Sequence, residues 1–352
     1  MFNIIERLDK NVFDPYIVVR QEGGGLYDEI LSKGYTIILH PFSEEMDVSI
    51  LGKLKKIRKL TVEFKKYKFD IWQSFNWSSD FTEAIVARLV GAKYVYVKKN
   101  MNWQRRAWKL KTLFSNAVIA RNKTLIETYF SPSYFKKKTF FITGGVEVAK
   151  FKPGIETTIR KTFNISDSAF LVVCIAQLTK VKDQATLIKA VSRLDNVHLI
   201  LAGAHRDEEY VAELKRLVEE LNISKRVLMP GPISNVNELL NAASIFVLPT
   251  SKHGGHEEGC PVSVLEAMAV GTPCIVSDVA GSRDLIINNE TGTLFEPGNV
   301  DELTAAVRNA IIHYDHAKQM AGTALKKVNA EHTLEIEALA FSKVYKQILG
   351  RK

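Results

Sequence analysis

The chain has 352 residues, about two domains' worth, and its 46% hydrophobic content is enough to bury two substantial cores. Three cysteines (Cys174, Cys260, Cys274) without C-x-x-C spacing exclude a disulfide framework and fit a reducing compartment, and no run of about 18 apolar residues is present to span a membrane. The net charge of +9 is uneven: residues 1–150 hold 26 Lys+Arg against 15 Asp+Glu, a balance of +11, and the remaining 202 hold 22 against 24, a balance of −2.

Met1–Lys10 reads as the end of a helix and lacks the long apolar stretch of a secretion signal. Strand-like runs follow at Tyr16–Val19 and Thr36–Leu39. Leu51, Leu54, Ile57, Thr61 and Phe64 then recur at helical spacing, with Lys53, Lys55, Lys56, Arg58 and Lys59 among them. With Lys65, Lys66, Lys68, Lys98, Lys99, Arg105, Arg106 and Lys136–Lys138 they form a basic excess suited to an anionic membrane surface or to plain solvation. No nucleic-acid recognition motif accompanies the charge, and nucleic acid is not expected as a partner. Further strands are expected at Asp70–Ser74, Tyr94–Val97, Ala117–Ala120 and Thr139–Thr143. Trp103, Trp108, Leu113 and Phe114, interleaved with Arg105, Arg106 and Lys109, suit either a membrane-facing mouth or a buried helix flanked by charge. Phe151–Gly154 breaks the pattern and reads as an interdomain linker.

The second half continues with strands at Phe170–Ala176, Val197–Ala202, Arg226–Met229, Ile245–Leu248, Pro273–Val276 and Thr293–Phe295, and ends in an amphipathic stretch from Glu335 to Leu349. Strands alternating with helices throughout argue for α/β doubly wound sheets. Within this half, Glu258-Gly259-Cys260-Pro261-Val262-Ser263 leads to Glu266, Gly271 and Pro273, placing two carboxylates eight residues apart about a helix start. Pro261 suits the first helical position, and Gly271 and Pro273 supply the stop. The amides of Val262 and Ser263 are then open at the positive end of a helix dipole, where a diphosphate can sit. A carboxylate on either side offers acceptors to hydroxyls, the layout of a nucleotide-sugar. An ordinary helix with two exposed glutamates has the same spacing. His253 and His256 form an H-x-x-H beside Glu257 and Glu258 in a Gly-rich loop, with no third spaced ligand, so neither a metal nor another cofactor is expected.

This segment resembles the E-x7-E motif of retaining glycosyltransferases of family 4. Upstream, Arg226–Ile233 and Leu239–Thr250 are similar to the family's "V-x-F-x-G … L-L-x-x-A-D-x-F-V-x-P-S". Downstream, Ala280–Asp284 resembles its "G-G-x-x-E", and Glu290–Phe295 its "x-x-G-x-L". Gly145–Pro153 is similar to the "N-G-V-D-x-x-x-F-x-P" of the domain junction. The resemblance runs from Phe140 to Leu303 and implies the GT-B fold, two Rossmann-like doubly wound domains facing across a cleft. Residues 1–150 would form the acceptor-side domain, with the 331–352 helix crossing back onto it, and 151–330 the nucleotide-sugar domain.

The resemblance also implies roles. Glu266 would accept from both ribose hydroxyls, Glu258 with Gly259, Cys260, Pro261, Val262 and Ser263 would hold the hexose and diphosphate, and the backbone of Gly231 to Ile233 would flank the base. Gln177–Asp183 stands where the family has "G-R-L-x-x-x-K-G". Lys182 would therefore face the diphosphate, while Gln177 replaces a fixed cation by a neutral amide and Lys180 supplies part of the missing charge. Glu258 and Lys182 are the candidate catalytic residues, with front-face displacement as the mechanism, since no paired nucleophile and acid/base is present. Asn76, Asn100 and Asn102, and more weakly Arg121 and Asn122, are candidate acceptor contacts.

The implied function is transfer of a hexose-type sugar from a UDP- or GDP-sugar to a saccharide or lipid-linked saccharide, in cell-surface polysaccharide or glycolipid synthesis. The place of action would be the cytoplasm, peripheral on the inner face of the cell membrane. Alternatives are a GT-B sugar-nucleotide epimerase and a catalytically weak scaffold that binds nucleotide-sugar. Family members open with an apolar strand and a Gly-rich loop. Met1–Lys10 already reads as the end of the helix that follows them, so the first domain is expected to lack its first strand and about 20–30 residues. That domain would be poorly stable and the transferase weak, while Lys152 to about Ala330 would fold and bind donor.

Overall fold

The computed structural model describes residues 2–40, 49–76, 78–103, 107–252 and 258–350. Trp77, Arg105, Arg106, His253, His256 and Glu257 lie outside them.

Every run expected to be a strand forms one, with ends displaced by two residues at most. In the first half β1 (Tyr16–Val19) pairs in parallel with β2 (Thr36–Leu39), Tyr16 opposite Thr36. β3 (Ile71–Ser74), β4 (Lys93–Lys98), β5 (Ala117–Ala120) and β6 (Thr139–Phe141) form a separate parallel sheet in that order. β1 and β3 share no ladder, so the first unit's strands form two sheets, the gap falling where the first strand is expected to be missing. Tyr94, Val95, Tyr96 and Val97 are all buried, because helices cover both faces of a parallel sheet.

In the second half β7 (Phe170–Ile175), β8 (Val197–Ala202), β9 (Val227–Gly231), β10 (Ile245–Leu248), β11 (Cys274–Ser277) and β12 (Thr293–Phe295) form one parallel sheet, ordered β12-β11-β10-β7-β8-β9. These are two α/β units with the Rossmann-like plan of the GT-B fold. Leu187, Leu199, Leu201, Phe246, Leu265 and Met268 pack into the larger core. Cys174 and Cys274 belong to it too, and burial pushes the Cys174 thiol up to about 12 and Cys274 further.

The helix Leu334–Leu349 returns to the first unit. Phe341, Val344 and Tyr345 pack with Ile4, Val95, Val97 and Ile119. Its start is tied by Glu337, whose carboxylate accepts from Arg121 Nη1 at 2.6 Å and from the Gly145 amide at 2.8 Å. Gly145 must be glycine, since a Cβ there would lie 2.5 Å from the Thr333 carbonyl oxygen.

The basic helix runs from Ile50 to Lys65, capped by the Ser49 hydroxyl. Its buried stripe is Ile57, Leu60 and Phe64, while Thr61 returns its hydroxyl to the Ile57 carbonyl at 2.8 Å. Leu51 and Leu54, expected on the core side, are instead 72% and 58% exposed, since no described element covers the first two turns. Trp103 stacks on Trp108 with ring centroids 5.8 Å apart and, with Phe114, packs against Tyr94, Tyr96 and Phe130. Within that stretch Trp103, Trp108 and Phe114 are partly buried in this cluster, while Leu113 is 42% exposed. No described helix is long and apolar enough to cross a membrane.

Candidate donor site

In open α/β sheets ligands sit beyond the carboxyl ends of the strands where the strand order reverses. Here that point lies between β7 and β10, and the loops leaving these strands carry Lys182 and Glu258. The loop after β7 turns at Thr179, whose carbonyl accepts from the Lys182 amide at 2.9 Å. Asp183, in left-handed conformation, caps the helix Gln184–Ser192 through Thr186. The Ser251 amide donates to the Val181 carbonyl at 2.8 Å and fastens the two loops together.

The helix after β10 spans Val262–Val270 and closes at Gly271, whose φ of 75° is left-handed. Pro261, expected as its first residue, caps it instead, because its ψ of 106° is extended. Val264, Leu265, Ala267 and Met268 anchor the helix in the core, Val262 is exposed and Glu266 is half-buried at the helix side. Burial raises the Glu266 carboxyl to about 7, against the opposing charge of Lys150 on the linker.

Lys182 Nζ forms an ion pair with Glu258 Oε1, and the buried Thr250 hydroxyl donates to the same oxygen at 3.4 Å. Burial lowers the Lys182 ammonium to about 8. The Glu258–Cys260 turn is gripped from both domains. The Gly281 amide donates to the Glu258 carbonyl at 3.1 Å, Asn122 Nδ2 to the Gly259 carbonyl at 3.2 Å, and the Gly144 amide to Cys260 Sγ at 3.1 Å. At Gly259 a Cβ would fall 1.3 Å from the Lys99 carbonyl oxygen, so only glycine permits this approach of the two domains.

Gln177 is exposed, and its carbonyl accepts from Gln184 Nε2 at 3.0 Å. Lys180, expected to add charge, turns away to Glu213 at 3.2 Å. Gly231 is left-handed at φ 84°, with open space beside it, and its carbonyl accepts from the Gly203 amide at 3.0 Å; Ile233 packs against the neighbouring core. On the acceptor side, Asn76 is engaged internally, its Nδ2 donating to Glu83 at 3.2 Å and its Oδ1 accepting from the Ser78 amide at 3.0 Å. Asn100 Oδ1 and the Asn102 carbonyl both accept from Lys98 Nζ, at 3.0 and 2.5 Å.

Sequence reasoning missed Lys98 and Lys111, both fully buried. Lys111 Nζ donates to the Asn76 and Ser78 carbonyls at 3.1 and 3.0 Å, and Lys98 lies 3.7 Å from the Trp103 ring centre. Burial and the Lys111 charge lower Lys98 to about 7. Its place in the apolar run Lys93–Lys98 was the available signal. The engagement of Asn122 with the Glu258–Gly259 turn was also missed, and nothing local announces it. Among the described residues no three His, Cys, Asp or Glu side chains gather to hold a metal.

Residues 155–327 match the family model of the glycosyl transferases group 1. The match lies within the second unit, between the linker and the returning helix. The chain is 25% identical over 288 residues to the Escherichia coli UDP-Gal:alpha-D-GlcNAc-diphosphoundecaprenol alpha-1,3-galactosyltransferase, covering 74% of this chain and 71% of that one. It is 26% identical over 202 residues to a Mycobacterium tuberculosis GDP-mannose-dependent alpha-(1-6)-phosphatidylinositol monomannoside mannosyltransferase, 54% of this chain and 51% of that one. Among solved structures, a Rickettsia africae glycosyltransferase superposes with a TM-score of 0.87 over 100% of this chain and 94% of that one, at 18% identity, a likeness of fold.

Proposed function

We propose that this glycosyltransferase moves a hexose-type sugar, with retention, from a UDP- or GDP-sugar to a saccharide or lipid-linked saccharide. The observation that carries the reading is the set of Lys182, Glu258 and half-buried Glu266 about one helix start at the switch point of the sheet. The relatives named above use a UDP-sugar and a GDP-sugar and act on lipid-linked acceptors, which supports that donor and acceptor range.

In this reading the diphosphate rests on the Val262 and Ser263 amides, and Glu266 accepts from the ribose hydroxyls. Glu258 and the Gly259 backbone hold the hexose, while Gly231 and Ile233 flank the base. Lys182 exchanges its Glu258 partner for the phosphate as the donor enters. As the bond to the anomeric carbon breaks, negative charge grows on the diphosphate, and Lys182 with the helix amides meets it without a cofactor. Retention follows from attack on the face the diphosphate leaves. The site of action is the cytoplasmic face of the membrane, where the basic first domain faces anionic lipid.

Titration calorimetry with UDP- and GDP-sugars tests this. The wild-type chain should bind one series, and Glu266→Ala should abolish that binding while its unfolding temperature holds. Unchanged affinity in the variant refutes the assignment of Glu266 to the ribose. Transfer assays with the bound donor then identify the acceptor.

A further inference from the structure

Asn122 lies between β5 and the helix Lys123–Tyr129. Its backbone is extended, and its Oδ1 caps that helix by accepting from the Leu125 amide at 2.7 Å. Asp or Ser would cap about as well, but only an amide joins to the capping oxygen a second atom with two N–H donors. Here that nitrogen crosses to the other domain. Nδ2 donates to the Gly259 carbonyl at 3.2 Å and to the Glu258 carbonyl at 3.4 Å. The residue is 0% exposed with both side-chain polar atoms engaged, which leaves none for an acceptor.

Further bonds converge on this junction. The Glu258 carbonyl also accepts from the Gly281 amide at 3.1 Å. Three residues on, Asp284 Oδ2 accepts from the Lys123 amide at 2.7 Å, so the start of the first-domain helix is held by one residue from each domain. Met101, Ala120 and Leu125 of the first domain pack there with Ala280 of the second. Glycine at 259 leaves the turn's backbone broad freedom, and anchoring the carbonyls on either side of it removes that freedom. The Glu258 side chain leaves the anchored backbone toward Lys182 and Thr250. Its direction therefore depends on the hold behind it.

We propose that Asn122 is a positioning residue for the transfer step: from the opposite domain its amide sets the Glu258–Gly259 turn and so aims the Glu258 carboxylate. Glu266, Lys182 and the Val262 and Ser263 amides, the other donor contacts of the proposed site, all belong to the second domain. Loss of the amide should therefore fall on turnover and spare donor affinity. The effect on turnover rests on the donor site proposed above, whereas the hold on the turn needs no donor.

The test uses the full chain with Asn122→Asp and Asn122→Ser. Both keep a capping oxygen for Leu125 and lose the amide donor, and the serine adds no charge. Amide hydrogen exchange reads the two roles separately. Exchange at Gly281, whose partner is the Glu258 carbonyl, should quicken about tenfold in both variants, while Leu125 stays within about twofold of wild type. With UDP-glucose or GDP-mannose, whichever the wild type binds, release of the nucleoside diphosphate should slow about tenfold and the calorimetric Kd should stay within about twofold. Wild-type turnover in either variant would make Asn122 a helix cap only and overturn the assignment. Unchanged exchange at Gly281 in both variants, or affinity falling in step with turnover, overturns it too. If one variant loses protection at Leu125 its cap has failed and the other decides, and loss in both overturns the assignment. If the wild type binds no nucleotide-sugar, the proposed function fails and exchange at Gly281 alone decides whether Asn122 holds the turn.

Discussion

Glu266 and Lys182 set a pH window for the proposed site. Glu266 is raised to about 7 and Lys182 lowered to about 8, so the carboxylate and the ammonium coexist best between these values. Donor affinity should weaken about tenfold between pH 8 and pH 6, as Glu266 gains a proton and loses its acceptor role. Turnover should fall again above about pH 8, as Lys182 loses its charge. Calorimetry and a pH–rate profile check the two limbs, and Lys182→Ala should lower turnover at least tenfold at pH 7.5. Stability runs the other way for Glu266. The folded chain keeps its proton between about pH 4.5 and 7, where the unfolded chain has released it, so that contribution is complete at low pH and is lost as pH rises through 7. Glu266→Ala should therefore leave thermal stability at pH 8 unchanged or higher, read by calorimetric unfolding. These residues were legible in sequence because eight-residue spacing about a helix start is a local pattern. Lys111 and Asn122 were not, because their roles depend on carbonyls that the fold brings from elsewhere: for Lys111, Asn76 and Ser78 lie 35 and 33 positions away.

At the level of elements, strands were easier to read than helix faces. β5 and β10 are short apolar runs buried on both sides, and their residues alone mark them. The helix Ile50–Lys65 shows one heptad-like stripe in sequence, yet only its last turns meet a partner, because burial of Leu51 and Leu54 depends on what lies above them. Phe64, 1% exposed among Leu60 and Val86, is the keystone of that packing, and Phe64→Ala should cost about 3–5 kcal/mol in chemical denaturation. The Glu258–Cys260 turn gives the converse case, a short element held by both domains. Gly259→Ala cannot keep the turn and the approach of Lys99 together. Turnover should fall at least tenfold, while the unfolding of the second domain, followed by hydrogen exchange across β7 and β8, stays as in wild type. Loss of protection there as well would mean the turn stabilises the domain core.

Across the whole molecule, the two-unit plan was visible in the alternation of strands and helices, and the gap between β1 and β3 in the helix-like reading of Met1–Lys10, which left no strand for the centre of that sheet. The charge is similarly divided: +11 over residues 1–150 against −2 over the rest. The structure adds where apolar groups join it. Leu51 and Leu54 stand exposed on the same helix as Lys53, Lys55 and Lys56, which places insertable side chains among cations. Each lysine near an anionic leaflet contributes about 1 kcal/mol, and that attraction is screened beyond about 8 Å at physiological salt. The chain should therefore sediment with vesicles containing phosphatidylserine and not with neutral phosphatidylcholine, and 0.5 M salt should release most of it. Leu51→Ser with Leu54→Ser should weaken binding further at constant charge, separating insertion from electrostatics. Equal recovery on both kinds of vesicle would show that the basic face is only solvated, and would remove the membrane from the proposed site of action.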